Sequence, residues 1–125
     1  MNLAACVTVY GVRLAPALAA AMLLILGAAP ASATPAYLGE WGLNAASCRS
    51  GDAELGITHT HWSEVDSVCR IRSITGGNGV WQVNLYKCTG EGVKPTASVT
   101  IWASATRATT HYRASTFRNN FVRCH

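Results

Sequence analysis

The sequence changes character at Ala33, and that change leaves few folds open. Leu14 to Ala29 is apolar throughout, Arg13 precedes it, and Ala31-Ser32-Ala33 ends it with the small-x-small pattern that signal peptidase cuts. Residues 1–33 are therefore predicted to be a signal peptide, and Thr34–His125 a single mature domain of 92 residues. A chain this short buries a modest fraction of its surface, so its core alone is marginal. It compensates with Cys48, Cys69, Cys88 and Cys124, an even set in a chain bound for an oxidising compartment. An exported domain, periplasmic or extracellular, stapled by two disulfides is the expectation.

The apolar run spans 16 residues and contains Pro16 and Gly27. A helix needs ~20 residues to cross a bilayer, so cleavage is expected rather than a permanent anchor. An uncleaved segment would tether the same domain on the same side. Leu3-Ala4-Ala5-Cys6 has the composition of a lipid-attachment box, but it precedes the apolar run instead of following it, and Cys6 is expected to leave with the signal. No later stretch is long and apolar enough to form a transmembrane segment.

Four cysteines allow three pairings. Cys48–Cys69 with Cys88–Cys124 is favoured here, because each bridge would staple segments near in sequence and the second would tie down the C-terminus. No two cysteines have the C-x-x-C spacing of zinc or redox sites, which argues against a metal role.

The mature region reads as short strands punctuated by turns. Tyr37–Trp41 is a first strand, Asn44–Asp52 a polar turn, and Leu55–Trp62 a β-branched strand. Val65–Ile74 alternates, with Val65, Cys69 and Ile71 on one face and Asp66, Arg70 and Arg72 on the other. Thr75-Gly76-Gly77-Asn78-Gly79 is the clearest hairpin turn. Val80–Cys88 then returns with Trp81, Val83 and Leu85 on one face. Ala97–Ala105 presents Val99 and Ile101 inward and Trp102 outward. Arg107–Ala114 sets Arg107, Thr109, His111 and Arg113 against Ala108, Thr110 and Tyr112, and Phe117–Cys124 closes the chain. Six or seven strands without an amphipathic helix predict an all-β antiparallel meander, curled into a small barrel or folded as a two-layer sandwich.

Charge is distributed unevenly. Thr34–Asp66 holds five acids (Glu40, Asp52, Glu54, Glu64, Asp66) and one base, Arg49, whereas Ser67–His125 holds eight bases and one acid, Glu91. The basic half suits an acidic protein surface or an anionic envelope ligand, although the two halves can also pair within the fold. Nucleic acid is not an expected partner of an exported domain.

The candidate chemistry is sparse. His59-Thr60-His61 on one strand would project both imidazoles together, and with His111 could form a zinc site open to water. On a solvated strand the same histidines are ordinary surface. No G-x-S-x-G elbow marks an activated serine. The acid pairs Asp52/Glu54 and Glu64/Asp66 sit at loop edges, where solvated carboxylates are common. Trp102 on an outer face, with Arg107, His111 and Arg113 in the following strand, is a candidate binding surface, since aromatics and arginine dominate binding hot spots.

Gly39-Glu40-Trp41 resembles the G-x-W opening of calycin-type barrels, the superfamily of lipocalins and small periplasmic protease inhibitors. The inhibitors also have a cysteine soon after the G-x-W strand, like Cys48 here, but two cysteines rather than four. The wider layout is similar to small exported proteobacterial proteins without an assigned activity. Its carriers are Cys69-Arg70, Gly79-Val80-Trp81-Gln82-Val83 and Cys88-Thr89-Gly90-Glu91-Gly92. The resemblance implies a fold rather than a function.

Size, cysteines and the lack of a catalytic set point to a non-catalytic binding domain without a cofactor, either a hydrolase inhibitor or an envelope-ligand binder. The alternatives are a small metal-dependent enzyme using His59, His61 and His111, and an envelope structural or stress protein.

Overall fold

The structure, a computed structural model, describes residues 32–125. The predicted signal peptide lies outside the described residues, except for Ser32 and Ala33. Eight strands follow one another: β1 (Gly39–Gly42), β2 (Leu55–Ile57), β3 (His61–Glu64), β4 (Ser67–Gly77), β5 (Val80–Gly90), β6 (Thr96–Ala103), β7 (Arg107–Tyr112) and β8 (Arg118–Arg123). Each pairs antiparallel with the next, and β8 pairs with β1 through Trp41↔Arg123 and Gly42↔Val122. The sheet is therefore a closed barrel, which removes the unpaired edges that a short open sheet would expose. Of the two architectures left open by the sequence, the barrel is the one adopted.

Period-two alternation fills the lumen. Val83 and Leu85 of β5, Val99 and Ile101 of β6, and Ala108 and Thr110 of β7 are all buried, with Tyr37, Trp41, Leu55, Ile57, Trp62, Cys69 and Phe121 completing the core. Asn78 and Gly79, both at positive φ, join β4 to β5 in a two-residue turn between the partners Gly77 and Val80. β4 and β5 are the longest strands, and their register shifts between Val68 and Arg70 and again between Ile71 and Ser73. The second shift turns both Ile71 and Ile74 toward the core, which strict alternation would forbid.

Three sequence expectations are corrected. Leu55–Trp62 is not one strand. Ile57 and Trp62 are both buried although their phases are opposite, and a reversal at Thr58–Thr60 makes them direct cross-strand partners. The Thr58 side chain holds that turn by accepting hydrogen bonds from the backbone N–H groups of Thr60 and His61. Asn44–Asp52 is not merely a turn, because Ala45–Ser50 forms a helix, α1. Asn44 caps it by accepting from the N–H groups of Ala46 and Ser47, and Gly51 ends it in the left-handed region.

The third correction is the disulfide pairing. Cys48 bonds Cys124, and Cys69 bonds Cys88, in place of Cys48–Cys69 and Cys88–Cys124. Proximity in sequence suits Cys69–Cys88, 19 residues apart, but not Cys48–Cys124, 76 residues apart, which only barrel closure brings together. Closure sets β8 beside β1, so α1, which follows β1, lies against the C-terminus. Cys69 and Cys88 lie across the long β4–β5 hairpin, near the first register shift. Both bridges suit an oxidising compartment. Among the described residues, no helix is long and apolar enough to cross a membrane.

Candidate functional site

The two ends of the barrel differ. At one end lie the turns β2–β3, β4–β5 and β6–β7, and at the other the connections β1–β2, β3–β4, β5–β6 and β7–β8.

Arg123 blocks the first end. Its guanidinium lies 4.2 Å from the centre of the Trp41 ring, and Trp41 is fully buried. Nε donates to the Ala105 carbonyl at 2.7 Å, Nη1 to Leu38 at 2.7 Å and Nη2 to Ala36. One cation thus ties the segment before β1 to the β6–β7 turn across the barrel end. Gly39 leaves it room: a Cβ there would sit 2.8 Å from Nη1, and the residue is at positive φ. The Trp41 indole N–H donates to the Tyr37 carbonyl at 3.1 Å, and Tyr37 packs edge-on against Trp81 at 4.9 Å. The Gly39-Glu40-Trp41 motif is therefore the seat of this closure.

The other end is open. Trp62 and Glu64 project from β3, and Tyr112 from β7 on the opposite side of the lumen. The Trp62 indole N–H donates to Glu64 Oε1 at 3.1 Å and to the Tyr112 oxygen at 3.0 Å, while the Tyr112 hydroxyl donates to Glu64 Oε1. Burial, then the charge of Glu64 and its acceptance of the phenolic proton, push the Tyr112 pKa far above the usual tyrosine value. Tyr112 is thus a fixed donor, and with Glu64 it forms a polar crossbar between opposite walls.

The crossbar separates two clefts. Under β4, β5 and β6 lies the larger, of about 820 Å³, with Leu85, Ala97 and the Cys69–Cys88 bridge in its walls and Arg72, Lys94 and Arg113 also lining it. Under β8, β1 and β2 lies a smaller one, of about 320 Å³, lined by Leu43, Phe121, Glu54 and Asp66. Glu64, Ser67 and Val93 line both. The charge asymmetry of the sequence thus becomes a basic side and an acidic side of one mouth.

One buried polar atom is left over. Thr110, between Ala108 and Tyr112 on the inward face of β7, is fully buried, and its hydroxyl has no hydrogen-bond partner among the described residues.

The histidines are not assembled. His59 lies in the exposed β2–β3 turn, His61 is exposed at the start of β3, and the His111 ring is engaged with the Ser115 carbonyl at 2.9 Å, four strands from β3. The turn at Thr58–Thr60 breaks the strand geometry that would have aligned the first two. Among the described residues, no group of three His, Cys, Asp or Glu side chains could hold a metal ion. The proposed outer surface is divided. Trp102 is outward and half-buried, with the Arg118 guanidinium 4.8 Å above its ring, and it shares a shallow depression with Arg107 near the closed end. His111 and Arg113 line another depression, over β5–β7.

Glu64, which the sequence places at a loop edge, lies half-buried at the crossbar. The available signal was its i, i+2 relation to Trp62 on one strand. Comparison of the chain with protein-family models, with curated proteins and with solved structures finds no match.

Proposed function

We propose that this chain is an exported, non-catalytic binding protein of calycin-like design. Its basic cleft takes an elongated small molecule with an apolar body and an anionic head. The supporting observation is the asymmetry of the barrel: Arg123 over Trp41 blocks one end, and the other opens into a cleft of about 820 Å³. Eight strands enclose a lumen that is either filled by side chains or able to hold one small ligand, and ligand pockets typically span about 300–1,000 Å³. Leu85 and Ala97 offer apolar contact, and Lys94 and Arg113 offer charge to an anion. The Glu64 carboxylate repels a second anion, so the head group faces the bases. A recessed cleft with apolar and basic walls favours this form over a hydrolase inhibitor, which acts through a protruding surface.

The test uses two probes, the fluorescent anion 8-anilinonaphthalene-1-sulfonate and hexadecanoate as its competitor. The expected result is saturable binding of the fluorophore at one site, reversed by hexadecanoate. Ala97→Trp should fill the cleft and abolish both, with the circular dichroism and both disulfides unchanged. Equal binding by Ala97→Trp, or none by the parent, would remove this reading.

A further inference from the structure

The mouth carries a second pattern. Each of the four connections at the open end presents one exposed large apolar side chain: Leu43 between β1 and α1, Val65 between β3 and β4, Val93 between β5 and β6, and Phe117 between β7 and β8. Phe117 is 78% exposed and Val65 69%. The turns at the blocked end are Thr58–Thr60, Asn78–Gly79 and Ser104–Thr106, and they hold no large apolar residue. Val80, beside the turn at the blocked end, is as exposed as Val93 but belongs to β5; an apolar tip on every loop around one opening marks an interaction surface.

Charge selects the occupant. The connections follow one another around the mouth in strand order, so the first faces the third and the second faces the fourth. Glu54 on the first lies opposite Lys94 on the third, and Asp66 on the second lies opposite Arg113 on the fourth. Arg49 and Asp52 on the first offset each other, and Glu91 on the third lines neither cleft. The acidic half would repel an anionic lipid surface, and the basic half a cationic one. A surface that is half acid and half base around an apolar rim is complementary to itself under a two-fold axis.

We propose that two copies of this chain pair mouth to mouth, about a two-fold axis running along the boundary between the acidic and basic halves. That operation sets Glu54 of one copy against Arg113 of the other, and Asp66 against Lys94, each twice. The four apolar tips of each copy meet those of its twin. The pair encloses both clefts, and each copy supplies the lid of the other. Pairing does not require the cleft to hold a ligand, so Ala97→Trp should pair as the parent does.

Ser32–His125 forms a compact unit containing the eight strands described and both disulfides, so the oxidised unit is the material to test. Sedimentation velocity across a concentration series should give a reversible monomer–dimer equilibrium. Glu54→Lys/Asp66→Lys should weaken it at least about tenfold, as should Lys94→Glu/Arg113→Glu, and an equimolar mixture of the two variants should recover a dimer of near-parental affinity. Phe117→Ser should weaken pairing with no change in circular dichroism. A parent that stays monomeric at millimolar concentration overturns the proposal, and so does a mixture no tighter than its components. A monomer that binds phosphatidylethanolamine vesicles through Phe117 would overturn it in favour of a membrane surface.

Discussion

Arg123 and Trp41 are direct partners across the β8–β1 seam, and the guanidinium of the first lies 4.2 Å above the indole of the second. The pair joins a cation–π contact to hydrogen bonds with carbonyls from two distant segments. Arg123→Lys should be poorly tolerated, because an ammonium cannot present a planar fork to several carbonyls while stacking on a ring. We expect a loss of about 1.5–3 kcal/mol in urea unfolding, the range for hydrogen bonds made by a charged group. A change below about 0.5 kcal/mol would show that the closure does not depend on the guanidinium.

The pairings Cys48–Cys124 and Cys69–Cys88 close segments of very different length, with sequence separations of 76 and 19. In the chain-entropy model the longer loop gives the larger stabilisation, about 4–5 kcal/mol against about 3 kcal/mol. Cys48→Ser/Cys124→Ser should therefore be the more destabilising double variant, lowering the urea midpoint further than Cys69→Ser/Cys88→Ser. Non-reducing peptide mapping of the parent should recover these two cross-linked peptide pairs and no others.

Thr110 holds a buried hydroxyl without a partner. Replacing that hydroxyl by a methyl group keeps the shape and removes a desolvated polar atom. Thr110→Val should raise stability by about 1–2 kcal/mol, seen as a higher urea midpoint with an unchanged slope. A destabilised variant would mean that the hydroxyl has a partner in solution.

Tyr112 has a pKa raised in the folded state by burial and by Glu64. Below the ordinary tyrosine pKa of about 10, both folded and unfolded chains hold the proton and the contribution to stability is complete. Above it the unfolded chain releases the proton while the native chain keeps it, so stability falls as pH rises. Unfolding free energies measured from about pH 9 to about pH 11 should decline more steeply for the parent than for Tyr112→Phe. Parallel curves would place no such shift on Tyr112.

The sequence made the barrel walls legible because alternation survives wherever one face is wet. Phase alone groups Val83 with Leu85, Val99 with Ile101 and Ala108 with Thr110, and each pair is buried, whereas Val65, grouped with Cys69 and Ile71, is exposed in the β3–β4 turn. Trp102 was likewise assigned outward, and the turn around Asn78-Gly79 was plain. What failed was part local, the turn at Thr58–Thr60 and the capped helix Ala45–Ser50, and part what closure decides. The bridge between Cys48 and Cys124 depends on β8 meeting β1, a relation no local pattern encodes. The break at Thr58–Thr60 was hidden because Thr and His are acceptable in strands. The crossbar of Trp62, Glu64 and Tyr112 joins residues 48 and 50 positions apart, and only the circular strand order brings them together.

The seam between β1 and β8 has two residue pairs, whereas the β4–β5 hairpin has nine. That inequality sets an order of assembly. The hairpin forms from neighbours around a two-residue turn, so little loop entropy opposes it, and it can act as the nucleus on which the other strands are laid. The seam joins the two ends of the domain through a few contacts that become available only when the other strands are in place. Loop entropy and contact order thus place closure last. The oxidation that joins Cys48 to Cys124 acts as its latch, turning a weakly paired seam into a permanent one.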